Sequence, residues 1–274
     1  MAFFRNKKVN ENLSHKMYNG KDVYEKTLIE SFILCRKGWN NMYTFNSRVR
    51  YSEVDSDARL TLDGIINYMQ DCTNFQSEDL GVGLEFHNER QIAWILNSWQ
   101  IVIDEYPKMG ENIVIGTQSF GYEKMFGHRN FLITKEDGSR VAIANSLWVL
   151  MDLKKNRPMI VTPEIGDVYG THEPLEMDYA PRKIKVPEGG VKGREFVVQE
   201  SQLDTNHHVN NGQYVRMALN QIELKQVKEL RVEYKKQALL GDIIVPVVCE
   251  RENEIFVSLD DEVGKAYAVV QFKF

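Results

Sequence analysis

One short segment occurs twice in this chain, and the repeat limits what the chain can fold into. Residues 52–60 align without gaps on residues 201–209, and each segment precedes an amphipathic, helix-like run. Two further pairs follow in the same order, with 107–111 resembling 238–242 and 138–142 resembling 264–268. Three matches in register predict an internal duplication whose period is far longer than that of solenoid repeats.

The apolar pattern predicts a helix followed by a long antiparallel sheet. Helical spacing is found at Leu62, Ile65, Ile66, Met69, Cys72 and Thr73, and Gly81 and Gly83 follow as helix stop signals. We expect strands near residues 43–50, 92–103, 112–120, 128–135, 140–154, 229–236, 242–251, 254–259 and 266–274. Because no helices intervene to make parallel crossovers, the fold class is α+β.

The second copy contains a cluster of polar side chains just before its helix-like run. Alternation along an extended or turn segment places Asp204, Asn206 and His208 on one side and His207 on the other. A carboxylate, a carboxamide and an imidazole supply an electrostatic anchor, an orienting group and a base. The alternative is that Asp204 and Asn206 only form turns and cap the helix. Arg59 occupies the position of His208 in the first copy, so only the second copy has a base.

The motif Asp-x-Asn-x-His-Val-Asn-Asn at residues 204–211, followed by Glu-Tyr-Lys-Lys-Gln-Ala at 233–238, resembles the acyl-carrier-protein thioesterase family. Residues 48–55, 59–61 and 68–71 of the first copy resemble the same family. The resemblance implies a tandem (double) hotdog, with two antiparallel sheets each wrapped around a central helix. It also implies hydrolysis of the thioester that links a fatty acyl chain to acyl carrier protein (ACP), which ends chain elongation.

The resemblance assigns roles residue by residue. Asp204, Asn206 and His208 match the catalytic acid, amide and histidine of the family. Plant members carry Glu-Cys where this chain has Gln237 and Ala238, so no cysteine nucleophile is available there. We expect His208 to be the base, Asp204 to polarise the site or share that role, and Asn206 and Gln237 to position water or the thioester oxygen. The sequence does not decide whether Asp204 or His208 takes the proton.

The duplication and the resemblance together predict the domain organisation. We expect an extension outside the fold (1–41), an N-terminal hotdog that binds the acyl chain (42–156), a linker (157–191) and a catalytic C-terminal hotdog (192–274). The linker contains most of the prolines. Cys72 and Cys249 are expected to be small apolar residues in a helix and a strand. Two fused units already form the pair that single hotdogs obtain by dimerising, but further association into a homodimer is left open by the sequence.

Composition excludes several functions. The net charge of −5 argues against a nucleic-acid binder. No apolar run spans a bilayer and no signal peptide pattern occurs, which predicts a cytoplasmic protein. His207 and His208 lack the spacing of a metal site, so we expect no metal. The expected reaction needs only water and no cofactor.

Two alternative functions are acyl-CoA hydrolysis by the same residues and acyl binding without turnover.

The expected partner is ACP, an acidic protein. Basic residues at the end of the linker could form a local patch for its acidic face, although a solvated connector would also explain them. These residues are Arg182, Lys183, Lys185, Lys192 and Arg194.

Overall fold

The computed structural model describes residues 42–204, 206–223 and 226–274. They lie in one compact unit, Asn41–Phe274. The extension predicted for residues 1–41 falls outside the described residues. No helix in the described part of the chain is both long enough and apolar enough to cross a bilayer.

The first copy contains one long helix and five strands, close to the predicted bounds, and one short helix. They are β1 (Tyr43–Arg48), α1 (Leu62–Asp79), α2 (Leu84–Arg90), β2 (Ile92–Ile103), β3 (Asn112–Glu123), β4 (Phe126–Lys135) and β5 (Arg140–Asp152). The Thr61 hydroxyl caps α1 by accepting the Gly64 N–H at 3.2 Å. Gly81 follows α1 with φ +71, as the stop signal predicts. Gly83 instead caps the start of α2, a helix that the sequence did not predict.

The second copy repeats these elements in shorter form. Between the copies lie β6 (Arg157–Pro158) and α3 (Pro163–Gly166), followed by β7 (Val191–Lys192) and β8 (Phe196–Val197). The second copy then contains α4 (Asn211–Leu219), β9 (Glu229–Tyr234), β10 (Ile243–Glu250), β11 (Glu254–Asp260) and β12 (Ala266–Lys273).

The strands form one sheet rather than two separate ones. The order is β1-β3-β4-β5-β2-β9-β12-β11-β10-β7, with β8 also paired to β10 and β6 to β5. Strands β2 and β9 pair antiparallel, from Ser98 opposite Glu233 to Val102 opposite Glu229. The two predicted sheets are therefore joined edge to edge. All the pairings between named strands are antiparallel, which agrees with the predicted α+β class.

Backbone geometry confirms the internal duplication. An isolated bridge joins Val54 to Leu60 in the first copy and Leu203 to Val209 in the second. Ala58 and His207 occupy the same loop position, with φ 57 and φ 60. The glycines of the two other repeated segments also match in positive φ: Gly110 (86) with Gly241 (84), and Gly138 (85) with Gly264 (83).

Helices α1 and α4 pack together on one face of the sheet. The Asp63 carboxylate of α1 and the Arg216 guanidinium of α4 form an ion pair at 2.9 Å. One core cluster contains buried residues from both copies, including Ile65 and Trp99 from the first and Val215 and Val232 from the second. The two copies therefore share a core.

Residues 172–190, which we call the strap, cross the opposite face of the sheet. Carboxamides and charged groups of the strands bond to the strap backbone. Gln118 Nε2 donates to Glu173 O at 2.6 Å, and Gln100 Nε2 donates to Asp178 O at 2.8 Å. On β9, Glu233 Oε2 accepts the Ile184 N–H at 3.0 Å. The solvated connector expected here is thus a backbone fixed against the sheet.

The strap also separates the basic residues predicted to form one patch. The Arg182 guanidinium donates to Asn97 Oδ1, in β2, at 3.2 Å. Lys192 lies in β7, at the far edge of the sheet. Neighbouring strands are about 4.8 Å apart, so the five strand spacings between β2 and β7 correspond to roughly 24 Å. Arg182 and Lys192 therefore lie at different strands of the sheet rather than side by side.

Candidate active site

The predicted catalytic segment forms a tight loop in front of α4. Asp204 Oδ1 accepts backbone N–H groups from Asn206 at 2.8 Å and from His208 at 3.2 Å. The Asp204 N–H donates to the His208 carbonyl at 2.7 Å. Of the two conformations expected, extended or turn, the segment is therefore a turn, because the chain folds back on itself between these residues. Asp204 and His208 lie opposite each other across the loop.

Gln237 lies next to this loop in space. The Val209 N–H donates to the Ala238 carbonyl at 3.0 Å, which joins the residue after His208 to the residue after Gln237. Asp204 and His208 are half-buried, whereas Asn206, His207 and Gln237 are exposed. Among the described residues, the side chains of Asn206, His208 and Gln237 have no hydrogen-bond partner. These groups can therefore bond to a substrate or to water.

The first copy shows which part of the loop is structural. Asp55 Oδ1 accepts N–H groups from Asp57 at 2.9 Å and Arg59 at 3.0 Å, as Asp204 does in the second copy. The aspartate therefore shapes the loop in both copies, which agrees with the turn-forming alternative for Asp204. The helix cap is Asn210 rather than Asn206, since Asn210 Oδ1 accepts the Gly212 N–H at 2.9 Å.

The two copies differ in the side chains that the loop presents. Arg59 Nη1 donates to the Tyr106 carbonyl at 3.2 Å, so this guanidinium is bonded within the first copy. In the second copy the same position is His208. The loop is thus a common scaffold, and Asn206 and His208 are the residues that make the second copy chemically distinct.

Two tyrosines, Tyr214 (buried) and Tyr234 (half-buried), hold the loop, α4 and β9 together, and the sequence analysis missed both as site residues. The Tyr214 hydroxyl accepts the Ala238 N–H at 2.9 Å, and the Tyr234 hydroxyl donates to the Asn211 carbonyl at 3.0 Å. Their rings meet edge to face at 5.8 Å. Burial raises the pKa of both phenols, so both stay neutral. Tyr234 belongs to the family-like segment 233–238, which was the available signal.

Helix α1 of the first copy also supports the site. Asn211 Nδ2, at the first position of α4, donates to Gln70 Oε1 at 2.9 Å. Gly212 allows this close approach, because a Cβ there would lie 3.1 Å from Asn67 Oδ1. Gln70 was not predicted as a site residue, although it lies in the family-like segment 68–71.

The cysteines take the places predicted for them. Cys72 lies in α1 and Cys249 in β10, and both are buried free thiols. Burial raises the pKa of Cys72 to about 12, so the thiol stays protonated and is a poor nucleophile. In the described ranges, no three His, Cys, Asp or Glu side chains are grouped as a metal site.

Family models match both halves of the chain. The model of the acyl-ACP thioesterase N-terminal domain matches residues 40–169, and that of the acyl-ACP thioesterase C-terminal domain matches residues 188–271. The chain belongs to the acyl-ACP thioesterase family. The predicted site residues all lie in the C-terminal match, and Gln70 lies in the N-terminal match.

Related proteins include plant thioesterases and solved structures with the same fold. The chloroplastic acyl-(acyl-carrier-protein) hydrolase FATB1 of Cuphea viscosissima is 24% identical over 81% of this chain and 57% of its own length. The chloroplastic palmitoyl-acyl carrier protein thioesterase of Gossypium hirsutum is 23% identical over 72% of this chain and 52% of its own. The chain thus spans little more than half the length of these relatives.

Two solved structures share the double-hotdog fold. An acyl-ACP thioesterase from Bacteroides thetaiotaomicron superposes with a TM-score of 0.78 at 24% identity, over 86% of this chain and 98% of its own. The 12:0-ACP thioesterase from Umbellularia californica gives a TM-score of 0.73 at 18% identity, over 85% of this chain and 96% of its own. The predicted tandem hotdog is confirmed.

Proposed function

We propose that this protein hydrolyses fatty acyl-ACP thioesters to free fatty acid and holo-ACP. One observation carries the proposal: the second copy presents His208 opposite Asp204, with Gln237 alongside, on a loop that the first copy uses without a base. Family membership supplies the substrate class, because the named plant relatives act on acyl-ACP. A cytoplasmic location remains a prediction from the sequence.

In the proposed mechanism His208 is the base. Asp204 Oδ1 is committed to two backbone N–H groups, whereas the His208 imidazole has no partner among the described residues. His208 takes a proton from water, and the water oxygen attacks the thioester carbon. The oxyanion forms near the N-terminus of α4, where helix N–H groups favour negative charge. The carbon–sulfur bond then breaks, and His208 returns the proton to the leaving thiolate.

The remaining predicted residues orient the reactants. Asn206 and Gln237 are exposed carboxamides beside the loop, and they hold the attacking water or the thioester oxygen. Asp204 keeps the loop closed and supplies negative charge next to the imidazolium that forms during the reaction. Residues 192–274 thus carry the chemistry, residues 42–156 hold the acyl chain, and residues 157–191 connect them.

Thiol release from acyl-ACP and acyl-CoA tests the proposal. We expect His208→Ala and Asp204→Ala each to lower kcat about 100-fold or more, the usual scale for losing a positioned acid–base group. His207→Ala is the matched control, because Ala58 already occupies the same loop position in the first copy with φ 57. This control should leave kcat unchanged.

The thiol-release assay also distinguishes the proposal from the alternative functions and tests the assignment of His208 as the base. A folded protein that binds acyl-ACP without releasing thiol is a binding module. Equal kcat/KM for ACP and CoA thioesters contradicts the assignment of ACP as carrier. Full activity in His208→Ala contradicts the assignment of the base.

A further inference from the structure

Arg129 is a buried cation without an anionic partner. It lies in β4 and is 6% exposed, with its side chain directed at α1. Its Nη1 donates to Gln76 Oε1 and, at 3.1 Å, to Thr117 Oγ1. The guanidinium carbon lies 5.1 Å from the centre of the Tyr169 ring. None of the ion pairs among the described residues includes Arg129.

Part of the guanidinium is free to bind. A buried charge is costly unless its hydrogen bonds and its charge are compensated. Only Nη1 has partners in the described ranges, so Nε and Nη2 have none. Some side-chain nitrogen and oxygen atoms in those ranges are fully buried and have no hydrogen-bond partner, but no atom of Arg129 is among them. The unbonded edge therefore borders space that water or a ligand can reach.

Two indole N–H groups on the same face of the sheet also lack acceptors. Nε1 of Trp94 and Nε1 of Trp99 are fully buried and have no hydrogen-bond partner in the described ranges. Trp99 packs on Phe131 at 4.9 Å, and Trp94 packs against Gly127. Gly127, Arg129 and Phe131 alternate along one face of β4, about 7 Å apart. Unpartnered donors therefore occur on this face near Arg129, together with the hydroxyl of Ser119, which lies opposite Arg129 on β3 and is likewise unpartnered in these ranges.

The position of Arg129 relative to the candidate active site follows from α1. Gln70 of α1 bonds to Asn211 beside the catalytic loop, and Gln76 of α1 bonds to Arg129. Six residues of helix separate these glutamines, which corresponds to about 9 Å along its axis. Arg129 therefore lies about 9 Å along the axis of α1 from the residue that contacts the catalytic segment.

We infer that the first copy binds an acyl chain that carries an oxygen acceptor well beyond the thioester, and that Arg129 bonds to this oxygen. The acceptor is a hydroxyl, oxo or carboxylate oxygen, any of which takes hydrogen bonds from a guanidinium. A purely hydrocarbon chain would leave the free edge of Arg129 facing an apolar ligand. The inference rests on the proposed thioesterase activity and specifies its substrate.

The test compares ACP thioesters of decanoate, 10-hydroxydecanoate and 9-carboxynonanoate on the full chain. For the wild type we expect the KM of one or both oxygenated substrates to be about 10- to 100-fold below that of decanoyl-ACP, the scale of a charge-assisted hydrogen bond. The two oxygenated substrates distinguish a hydroxyl from a carboxylate. Arg129→Met should abolish the preference, and Arg140→Met, at a surface ion pair with Asp104, should preserve it.

Wild-type KM values that are equal, or lower for decanoyl-ACP, overturn the inference even if Arg129→Met fails to fold. A protein that hydrolyses none of these thioesters contradicts the proposed function instead. In that case, thermal shifts of the wild type with free decanoic, 10-hydroxydecanoic and decanedioic acid decide the inference. A larger shift with either oxygenated acid than with decanoic acid supports it, and shifts that are equal for all three acids overturn it.

Discussion

At the scale of single residues, Glu53 is held in a small charged group of the first copy. It accepts hydrogen bonds from the Arg50 guanidinium and the Tyr68 hydroxyl, and its side chain is 11% exposed. Burial alone would raise the pKa of Glu53, but the bonds from Arg50 and Tyr68 outweigh burial, and the net result is a lowered pKa. The folded protein therefore favours the ionised carboxylate.

This lowered pKa predicts a loss of stability in acid. The unfolded chain protonates Glu53 near pH 4.3, roughly the ordinary glutamate value, above the folded pKa. The contribution of Glu53 is present above that pH and disappears as the pH falls through the folded pKa. We expect Glu53→Gln to lower the free energy of unfolding by about 1–3 kcal/mol at pH 7 and to reduce its pH dependence below pH 5.

Urea unfolding at pH 7 and in acid measures both effects. Glu262→Gln is the control, because Glu262 is exposed in a turn and should change neither quantity. The assignment to Glu53 is wrong if Glu53→Gln and the wild type lose the same stability on acidification.

Asp204, Asn206 and His208 could be proposed from sequence because their residue types cluster before α4 and because the duplication marks where the copies differ. Arg59 and His208 occupy one position of one loop, which made His208 conspicuous. Gln237, by contrast, was proposed from the family resemblance alone.

Gln70 and Tyr214 were not predicted as site residues for a physical reason. Each lies in a helix and contributes one hydrogen-bonding oxygen, and only the packing of α1, α4 and β9 brings that oxygen to the site. The turn at Asp204 was one of the two sequence-based expectations, since aspartate commonly accepts backbone N–H groups in turns.

At the scale of elements, long periodic segments were predictable and the segment between the copies was not. Strands β2 to β5 and helix α1 bury a regular face, so their spacing reports their structure. The strap has no such period, because single backbone bonds and isolated side chains such as Tyr179 and Arg182 hold it, rather than a regular apolar face. The carboxamides that bind it alternate with core residues on the strands, where they look like ordinary solvent-facing positions.

Asn130 provides the strongest test of the strap. It is fully buried, and its Oδ1 accepts the Leu175 N–H at 2.9 Å and the Tyr179 hydroxyl at 3.1 Å. Asn130→Ala leaves the Leu175 N–H without this acceptor, which should lower the free energy of unfolding by about 1–3 kcal/mol. Limited proteolysis should then cut the strap faster than in the wild type.

Tyr179→Phe is the matched control for Asn130→Ala. It removes one donor to the same oxygen but keeps the Leu175 bond, so we expect a smaller loss than for Asn130→Ala. If the two variants lose equal stability, the backbone bond to Leu175 does not hold the strap.

At the scale of the whole molecule, the two copies form one sheet and share one core. The junction is the β2–β9 pair, where Trp99 lies opposite Val232 and both are buried in the cluster that spans the copies. The strap crosses the same junction on the other face, since it bonds to Gln100 on β2 and to Glu233 on β9. Separating the copies would expose both the core face and these bonds.

This arrangement predicts that the two copies unfold together. All the tryptophans after residue 41 lie in the first copy, at positions 94, 99 and 148, so in a Trp39→Phe background their fluorescence reports only that copy. Hydrogen exchange of β11 and β12 reports the second copy. Because neither copy can leave the shared core without exposing the other, we expect both probes to give one denaturant midpoint. Two separate midpoints would mean that the β2–β9 junction breaks before either copy unfolds, and that the copies are independent domains.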